Sequence, residues 1–306
     1  MINIKTVLLV VNPISGAMDK AELIEEVKRG AVQIDASLII FSTSGKNDKE
    51  NLEKLILDKN PCRIIAAGGD GTIKLVAEAL GNKNIPLGII PAGSANGLSY
   101  NLHLPATLKE QTEIALGDHF LELDMIDINN EYCLHISDFG INAELIQKYQ
   151  TSNVRGKLGY LLQSIPTLVN SEYPFDFIIN ANNRTIKTSG ILLAIANARS
   201  YGTGATINPH GKLNDGYFEI LIFKNFDVFE ILKSLRNEVE FDPEFVETIV
   251  TKEATIMCDT PVALQVDGEY LGNHKLAKVS MLPQKLRIAV PHTELKIVKT
   301  GIKIFP

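Results

Sequence analysis

Gly68-Gly69-Asp70-Gly71-Thr72 is the stretch that most narrows what this chain can fold into. Before it runs Arg63-Ile64-Ile65-Ala66-Ala67, a short apolar segment behind Pro61 that reads as a buried strand. After it, Ile73, Val76, Ala77 and Leu80 follow helical spacing, and Gly81 offers a C-terminal stop. The loop therefore joins a strand to a helix N-terminus. The first turn of a helix has backbone N–H groups without internal partners and carries the positive end of the dipole. Three glycines let the backbone approach a phosphate closely and permit positive φ. Asp70 is the unexpected member. A carboxylate about 4 Å from a phosphate charge is repelled by about 4 kcal/mol at an effective dielectric near 20. A metal ion, bound directly or through water, removes that conflict. The loop points to a metal–nucleotide site. The competing explanation is a tight Gly-Asp-Gly turn in any α/β protein.

A chain of 306 residues with 45% hydrophobic content can bury the core of one large or two ordinary domains. The net charge of −6 argues against a broad nucleic-acid footprint. Cys62, Cys133 and Cys258 are far apart, with neither zinc spacing nor the makings of a disulfide framework. A reduced, cytoplasmic compartment fits. The apolar run Val7–Val11 is too short for a secretory signal core, and no run reaches the length of a membrane span.

In chain order, Val7–Val11 reads as a first strand, followed by the turn Asn12-Pro13-Ile14-Ser15-Gly16. Asp19 or a neighbour starts a helix with Leu23, Ile24 and Val27. Ser37–Phe41 is a second strand, Asn51–Leu57 a second helix, and Pro86–Ile90 a fourth strand after the glycine loop. This rhythm predicts a parallel sheet with right-handed crossovers, whose ligands bind beyond the C-terminal strand ends. Asn12–Gly16, Thr43, Gly68–Thr72 and Pro91–Asn96 all fall at such ends. In the last of these, Asn96 either caps the next helix, or Ser94 contacts a nucleotide.

Beyond Asp118 the texture becomes β-rich. Short strands are expected at 120–128, 132–136, 175–179, 191–196, 217–223, 253–257, 262–266 and 286–290, with helices at 143–149, 158–169 and 228–239. A second domain built as an antiparallel β-sandwich follows, so the expected division is 1–124 and 125–293, with the tail 294–306 returning to the first domain. Three clusters stand out there. Asn197-Ala198-Arg199 leads into Tyr201-Gly202-Thr203-Gly204. Lys212-Leu213-Asn214-Asp215-Gly216-Tyr217 is either a plain turn or an oxygen site for a hard cation at Asp215. Gln265-Val266-Asp267-Gly268-Glu269 is a hairpin-turn signal, yet it carries two acids two residues apart. Asp267 and Glu269 share a side only if the extended form persists through Gly268.

Taken together, these residues resemble the diacylglycerol kinase catalytic family, which includes sphingosine, ceramide and bacterial lipid kinases. The matching marks are Asn12-Pro13 with Ser15-Gly16, Gly68–Thr72, Pro91–Asn96, Asn197 with Gly202 and Gly204, Asp215-Gly216, and Asp267-Gly268-Glu269. They occur in the family's order over nearly the whole chain. The resemblance implies an α/β nucleotide-binding domain, a β-sandwich domain and an active cleft between them, with phosphoryl transfer from ATP to a lipid hydroxyl. By position, Asn12, Thr43, Gly68, Gly69, Asp70, Gly71, Thr72, Ser94 and Asn96 would serve the nucleotide. Glu269 would be the proton acceptor with Asp267 nearby, and Asp70 would organise Mg²⁺. Lys212, Asp215 and Tyr217 match a magnesium site, with Lys212 and Tyr217 serving only through carbonyl oxygens. The implied partner is a lipid at a membrane surface, met in peripheral contact, with no nucleic acid; a homodimer is compatible.

One position departs from the pattern. Many bacterial members carry an acid directly after the Asn of the fourth loop, where this chain has Gly97. Sphingosine-kinase-like members also lack that acid, which weighs against diacylglycerol as the substrate. Other readings fit less well. Ser137-Asp138-Phe139-Gly140 contains an Asp-Phe-Gly, but no His-Arg-Asp loop accompanies it. An NAD kinase shares the glycine loop, but the Pro91–Asn96 loop and the Asp267–Glu269 turn fit it less well. A catalytically silent lipid- or nucleotide-binding protein would account for Gly97. The segment Leu158–Val169 reads as a core helix or as a lid that docks on a membrane.

Overall fold

The computed structural model describes residues 5–16, 18–151, 174–201, 206–225 and 240–292. The helices expected at 158–169 and 228–239, the tail 294–306, Gly202 and Gly204 lie outside the described residues. The described residues up to Leu123, together with 284–292, form one compact unit, and Asp124–Pro283 forms the other. The first unit runs β1 (Lys5–Val11), α1 (Lys20–Gln33), β2 (Ala36–Ser42), α2 (Asp48–Lys59), β3 (Arg63–Gly68), α3 (Asp70–Leu80), β4 (Leu87–Pro91), α4 (Gly97–Asn101), α5 (Leu108–Leu116) and β5 (Phe120–Leu123). The second runs β6 (Ile126–Ile128), β7 (Glu131–Cys133), β8 (Ile136–Gly140), α6 (Ile141–Thr151), β9 (Phe175–Ala181), β10 (Arg184–Gly190), β11 (Leu192–Ala196), β12 (Phe218–Phe223), β13 (Val246–Thr251), β14 (Glu253–Val266) and β15 (Glu269–Met281). The chain then re-enters the first unit as β16 (Leu286–Ala289).

The first sheet has the order β2-β1-β3-β4-β16-β5. Every pair is parallel except β16 with β5. β3 is buried along its whole length and β1 over its last five residues, as expected of strands covered by helices on both faces. Each fully buried Val, Leu or Ile side chain there stabilises by about 1.5–3 kcal/mol. α1 turns Leu23, Val27 and Ala31 inward at four-residue spacing, and the Asp19 carboxylate caps it by accepting from the Ala21 N–H at 2.8 Å. The strand at Leu286–Ala289, expected in the second domain, instead pairs with β4 and β5. Its alternating apolar residues fit either sheet. The edge of β4, whose backbone groups need partners, accepts it.

In the second unit every strand pairing is antiparallel. The two strands expected at 253–257 and 262–266 are one long strand, β14, whose register with β15 shifts between Met257 and Val262. Pro261 sits in that gap, where a residue without an N–H does least harm. The first half of β14 pairs with β9 and the second half with β8. Ile256 and Leu264, one from each half, share a core with Phe139, Phe177, Leu193 and Phe218. The sheet thus doubles over on itself as a sandwich. Leu193 and Ile195 face that core, whereas Ala194 and Ala196 face a second one, so β11 is apolar on both sides. β10 and β15 carry no clear strand signal in the sequence because their outward residues are polar and Gly272 interrupts β15.

Candidate active site

The loops after β1, β3 and β4 are packed backbone to backbone through glycines. A Cβ on Gly93 would lie 2.4 Å from the Gly69 Cα, and one on Gly16, at φ +55°, would lie 2.3 Å from the Ala92 carbonyl oxygen. Backbone bonds tie the strand ends together: Asn12 N–H to Ala67 O at 3.1 Å, Ala92 N–H to Gly68 O at 2.8 Å, and Thr43 N–H to Val11 O at 2.9 Å. The four loops expected at the strand ends therefore do meet at one edge of the first sheet. Asn12 accepts from the Ile14 N–H at 3.1 Å, and Lys20 brings a cation to the same loop, donating to Ser15 O at 2.6 Å. Beside Thr43, burial opposes charge on Asp48. The Ser44 and Gly45 N–H groups and the Ser44 hydroxyl nonetheless hold its carboxyl below the ordinary range. Ser94 is exposed at its loop tip. Gly93→Ala is expected to force the Gly69 backbone away and cost about 1–3 kcal/mol of stability, measured by denaturant melts, because backbone cannot yield as a flexible side chain can.

α3 begins at Asp70 with Gly69 as its N-cap, which supplies no capping side chain. Thr72 is buried, and Gly71 is exposed. The Asp70 carboxylate reaches away from its own helix. Its Oδ2 accepts from the Gly97 N–H at 2.8 Å and its Oδ1 from the Leu98 N–H at 3.0 Å. Asp70 therefore caps α4, with both bonds charge-assisted. Asn96, the cap that local rules select for that helix, does not cap it. It sits at φ +56° and closes its own loop, accepting from the Gly93 N–H and donating to the Gly93 carbonyl, each at 2.9 Å. With glycine at 97, no second carboxylate competes for those N–H groups. Each Asp70 oxygen keeps lone pairs for a cation. One carboxylate beside closely packed glycine loops suits Mg²⁺, which is commonly held by one or two carboxylates plus a nucleotide's phosphates.

In the second unit, Asp267 (φ +50°) and Gly268 (φ +88°) form a two-residue turn between the paired residues Val266 and Glu269. Two successive positive φ values mark a type I′ hairpin turn. The extended form does not persist, so the two acids have different surroundings. Asp267 Oδ2 accepts from the Leu134 N–H at 2.7 Å, and Oδ1 from the His135 and Ile136 N–H groups at 2.9 and 3.2 Å. It anchors the link between β7 and β8, which is why the single strand expected at 132–136 is broken there. Glu269 is exposed at the start of β15. Asp267 is thus built in as a brace, and Glu269 is the acid of the pair open to solvent.

The loop at 212–217 is held by Asp124, a residue that no sequence motif singles out. The Asp124 N–H donates to Leu213 O at 2.7 Å and its Oδ2 accepts from the Gly216 N–H at 2.5 Å. Asp215 is exposed and accepts from the Tyr217 N–H at 3.2 Å, while Lys252 lies 4.6 Å from the Tyr217 ring centre. No group of three or more His, Cys, Asp or Glu that could hold a metal occurs among the described residues. A donor set of one carboxylate, Asp215, with the Lys212 and Tyr217 carbonyls is all oxygen, the chemistry a hard cation takes. Asn197 is buried and donates to Asp124 O at 2.7 Å and Leu134 O at 3.0 Å, bracing the same region.

One more acid lies outside the sequence-predicted set. Asp138, within the Asp-Phe-Gly, is fully buried on β8. Its Oδ2 accepts from Asn142 at 2.6 Å, Tyr201 at 2.7 Å and Gln265 at 2.6 Å, and its Oδ1 has no hydrogen-bond partner among the described residues. Burial pushes its carboxyl from the ordinary 3.8 up to about 6. Between those two values the folded state holds a proton that the unfolded state has released. Stability is therefore expected to fall, by about 3 kcal/mol, as pH rises from about 4 to 6. Denaturant melts across that range check the slope, which Asp138→Asn should flatten.

The comparisons with known proteins fall on both units. A family described as "Diacylglycerol kinase catalytic domain" matches residues 6–128. A second, "YegS C-terminal NAD kinase beta sandwich-like domain", matches 136–290. The probable lipid kinase YegS of Escherichia fergusonii is 27% identical over 237 residues, covering 74% of this chain and 78% of that protein. That of Shigella dysenteriae serotype 1 is also 27% identical, with the same coverage. A crystal structure of a diacylglycerol kinase from Bacillus anthracis str. Sterne is similar at TM-score 0.73 and 19% identity, over 94% of this chain and 98% of that one. An NAD kinase from Archaeoglobus fulgidus in complex with ATP reaches 0.57 at 9% identity, over 96% and 97%. At these identities the solved structures speak to fold alone.

Proposed function

We propose, since this chain belongs to the lipid kinase family defined by the diacylglycerol kinase catalytic domain and the YegS-type C-terminal domain, that it transfers the γ-phosphate of ATP to a lipid hydroxyl. The observation that carries the reading is the start of α3, whose N-cap Gly69 supplies no capping side chain and is met by Gly93 too closely for a Cβ on Gly93. Its first N–H groups and dipole suit a phosphate. Asn12, Thr43 and Ser94 border the same edge and would hold the nucleotide. Asp70 would hold Mg²⁺, which when bound neutralises phosphate charge. Glu269 would accept the hydroxyl proton, and its exposure leaves it open to an incoming alcohol. Phosphoryl transfer depends on positioning and charge neutralisation more than on covalent help, and this set of residues supplies both. The loop held by Asp124 would take a second hard cation in a structural role.

A lipid acceptor lies in a bilayer, so the protein would act in peripheral contact with a membrane from the cytoplasm. No helix among the described residues is long and apolar enough to cross one. The deciding experiment is a screen of γ-labelled ATP against diacylglycerols, sphingoid bases and other lipid alcohols, with NAD and sugars as controls. A labelled lipid product is expected. Label in NADP instead, or in no lipid, would overturn the reading.

A further inference from the structure

The buried acid of β8 is linked to the hairpin turn through one side chain. Asp138 stands opposite Gln265 across the β8–β14 ladder, and opposite Ala194 of β11 on its other side. Gln265 is itself buried. Its Nε2 donates to Asp138 Oδ2 at 2.6 Å, and its Oε1 accepts from the Gly268 N–H at 2.7 Å. Gly268 is the second residue of the hairpin turn, and Glu269 follows it directly. We propose that Asp138 is a positioning residue for Glu269, acting through the Gln265 carboxamide to hold the turn from which Glu269 emerges. The proposal rests on Glu269 being the proton acceptor.

The physical reason lies in the asymmetry of a carboxamide. It has one accepting end and one donating end, so what faces one end dictates what the other can do. An ionised carboxylate only accepts. It therefore draws the Gln265 NH₂ and leaves Oε1 for Gly268. A protonated carboxyl can donate, and where its O–H goes to the Gln265 oxygen the carboxamide turns over, giving up the 3.4 Å contact of Nε2 with the Ile136 carbonyl. That flip would turn the NH₂ toward the Gly268 N–H, setting donor against donor and releasing the turn. Packing alone does not call for an acid here, since burying a carboxylate is costly.

The surroundings put the switch in a useful range. Burial raises the Asp138 carboxyl to about 6, against the lowering effect of bonds from Asn142, Tyr201, Gln265 and the Ala143 N–H. Of its side-chain partners Asn142 of α6, Gln265 of β14 and Tyr201, the Tyr201 phenol is the titratable one, and Glu144 is the acid in the first turn of α6. The Asp267 anchor holds the first turn residue, and the Gln265 bond holds the second.

The test begins with unaltered protein labelled with ¹⁵N-glycine. The Gly268 amide resonance should titrate with a midpoint near pH 6, and kcat should rise through the same midpoint while KM for ATP stays level. Gln265→Met should remove the Gly268 titration and lower kcat about 10- to 100-fold, the scale of a small misplacement of a reacting group. Asp138→Asn, whose amide oxygen can still accept from Gln265, should lack the step near pH 6 in both readouts. A Gly268 resonance flat from pH 5 to 7.5 in the unaltered protein, or a Gln265→Met enzyme with full kcat, would overturn the proposal. Glu269→Gln separates the two ideas. A full-rate Glu269→Gln enzyme removes Glu269 as the acceptor and the positioning role with it, even if Gly268 titrates. A slow one beside a flat Gly268 retains the acceptor and removes Asp138.

Discussion

Asp70→Ala is expected to lower phosphoryl transfer at least a hundredfold and to weaken Mg-ATP binding. It should also destabilise the first unit by about 3–6 kcal/mol. The double effect follows from where its carboxylate sits. Two N–H groups of α4, Gly97 at 2.8 Å and Leu98 at 3.0 Å, lose an ionised acceptor, and hydrogen bonds to charged groups contribute about 1.5–3 kcal/mol each. The charge that would hold a cation beside the phosphates goes at the same time, and removing preorganised electrostatic stabilisation commonly costs 10²–10³ in rate or more. Asp70→Asn divides the two effects. Its single amide oxygen can still take one of the two N–H groups, so part of the stability should return. Its neutral head cannot replace the carboxylate at the cation, so the rate should not. Thermal melts, calorimetric Mg-ATP titrations and turnover on the same preparations would show the split. Asp70→Asn at the unaltered rate would remove the metal role and leave Asp70 a helix cap only.

The second large effect is at Glu269. Glu269→Gln should cut kcat by about 10²–10⁴, the usual range for a general base, with ATP affinity unaltered. The side chain is exposed and flanks a turn braced by other residues, so the substitution should leave the melting temperature close to unaltered. Asp267→Asn should behave in the opposite way. Its carboxylate serves three backbone N–H groups at 134–136, so its loss is expected first in stability. Comparing melting curves with turnover for the two variants would separate brace from base.

Several parts of this site are legible in the amino-acid order itself. The strand–glycine–helix unit at Asp70 is readable because each of its signals is local: apolar run, three glycines, then helical spacing. The meeting of four loops follows from the rhythm of strands and helices, since a parallel sheet presents its strand ends on one edge. The cap of α4 is not legible in the same way. Asn96 is the residue a local rule selects, yet the carboxylate that does the capping stands 27 positions away. Asp267 and Glu269 look like a pair because they are two residues apart. The N–H groups that separate their roles lie more than 130 residues upstream. Asp138 sits in a tripeptide that suggests another enzyme class, and only its register opposite Gln265 gives it a different meaning.

Periodicity and glycine placement are thus enough to mark the strands and helices of the first sheet, the edge where its strand ends gather and the glycine loop that opens α3, because these depend on neighbours within a few residues. Folding alone decided what each acid does. Asp70 spans to a second helix, Asp267 settles among amides, Glu269 stays exposed, and the strand at Leu286–Ala289 joins the first sheet. A carboxylate's role is set by the donors within about 3 Å of it. In this chain those donors come from stretches of sequence that no local pattern connects.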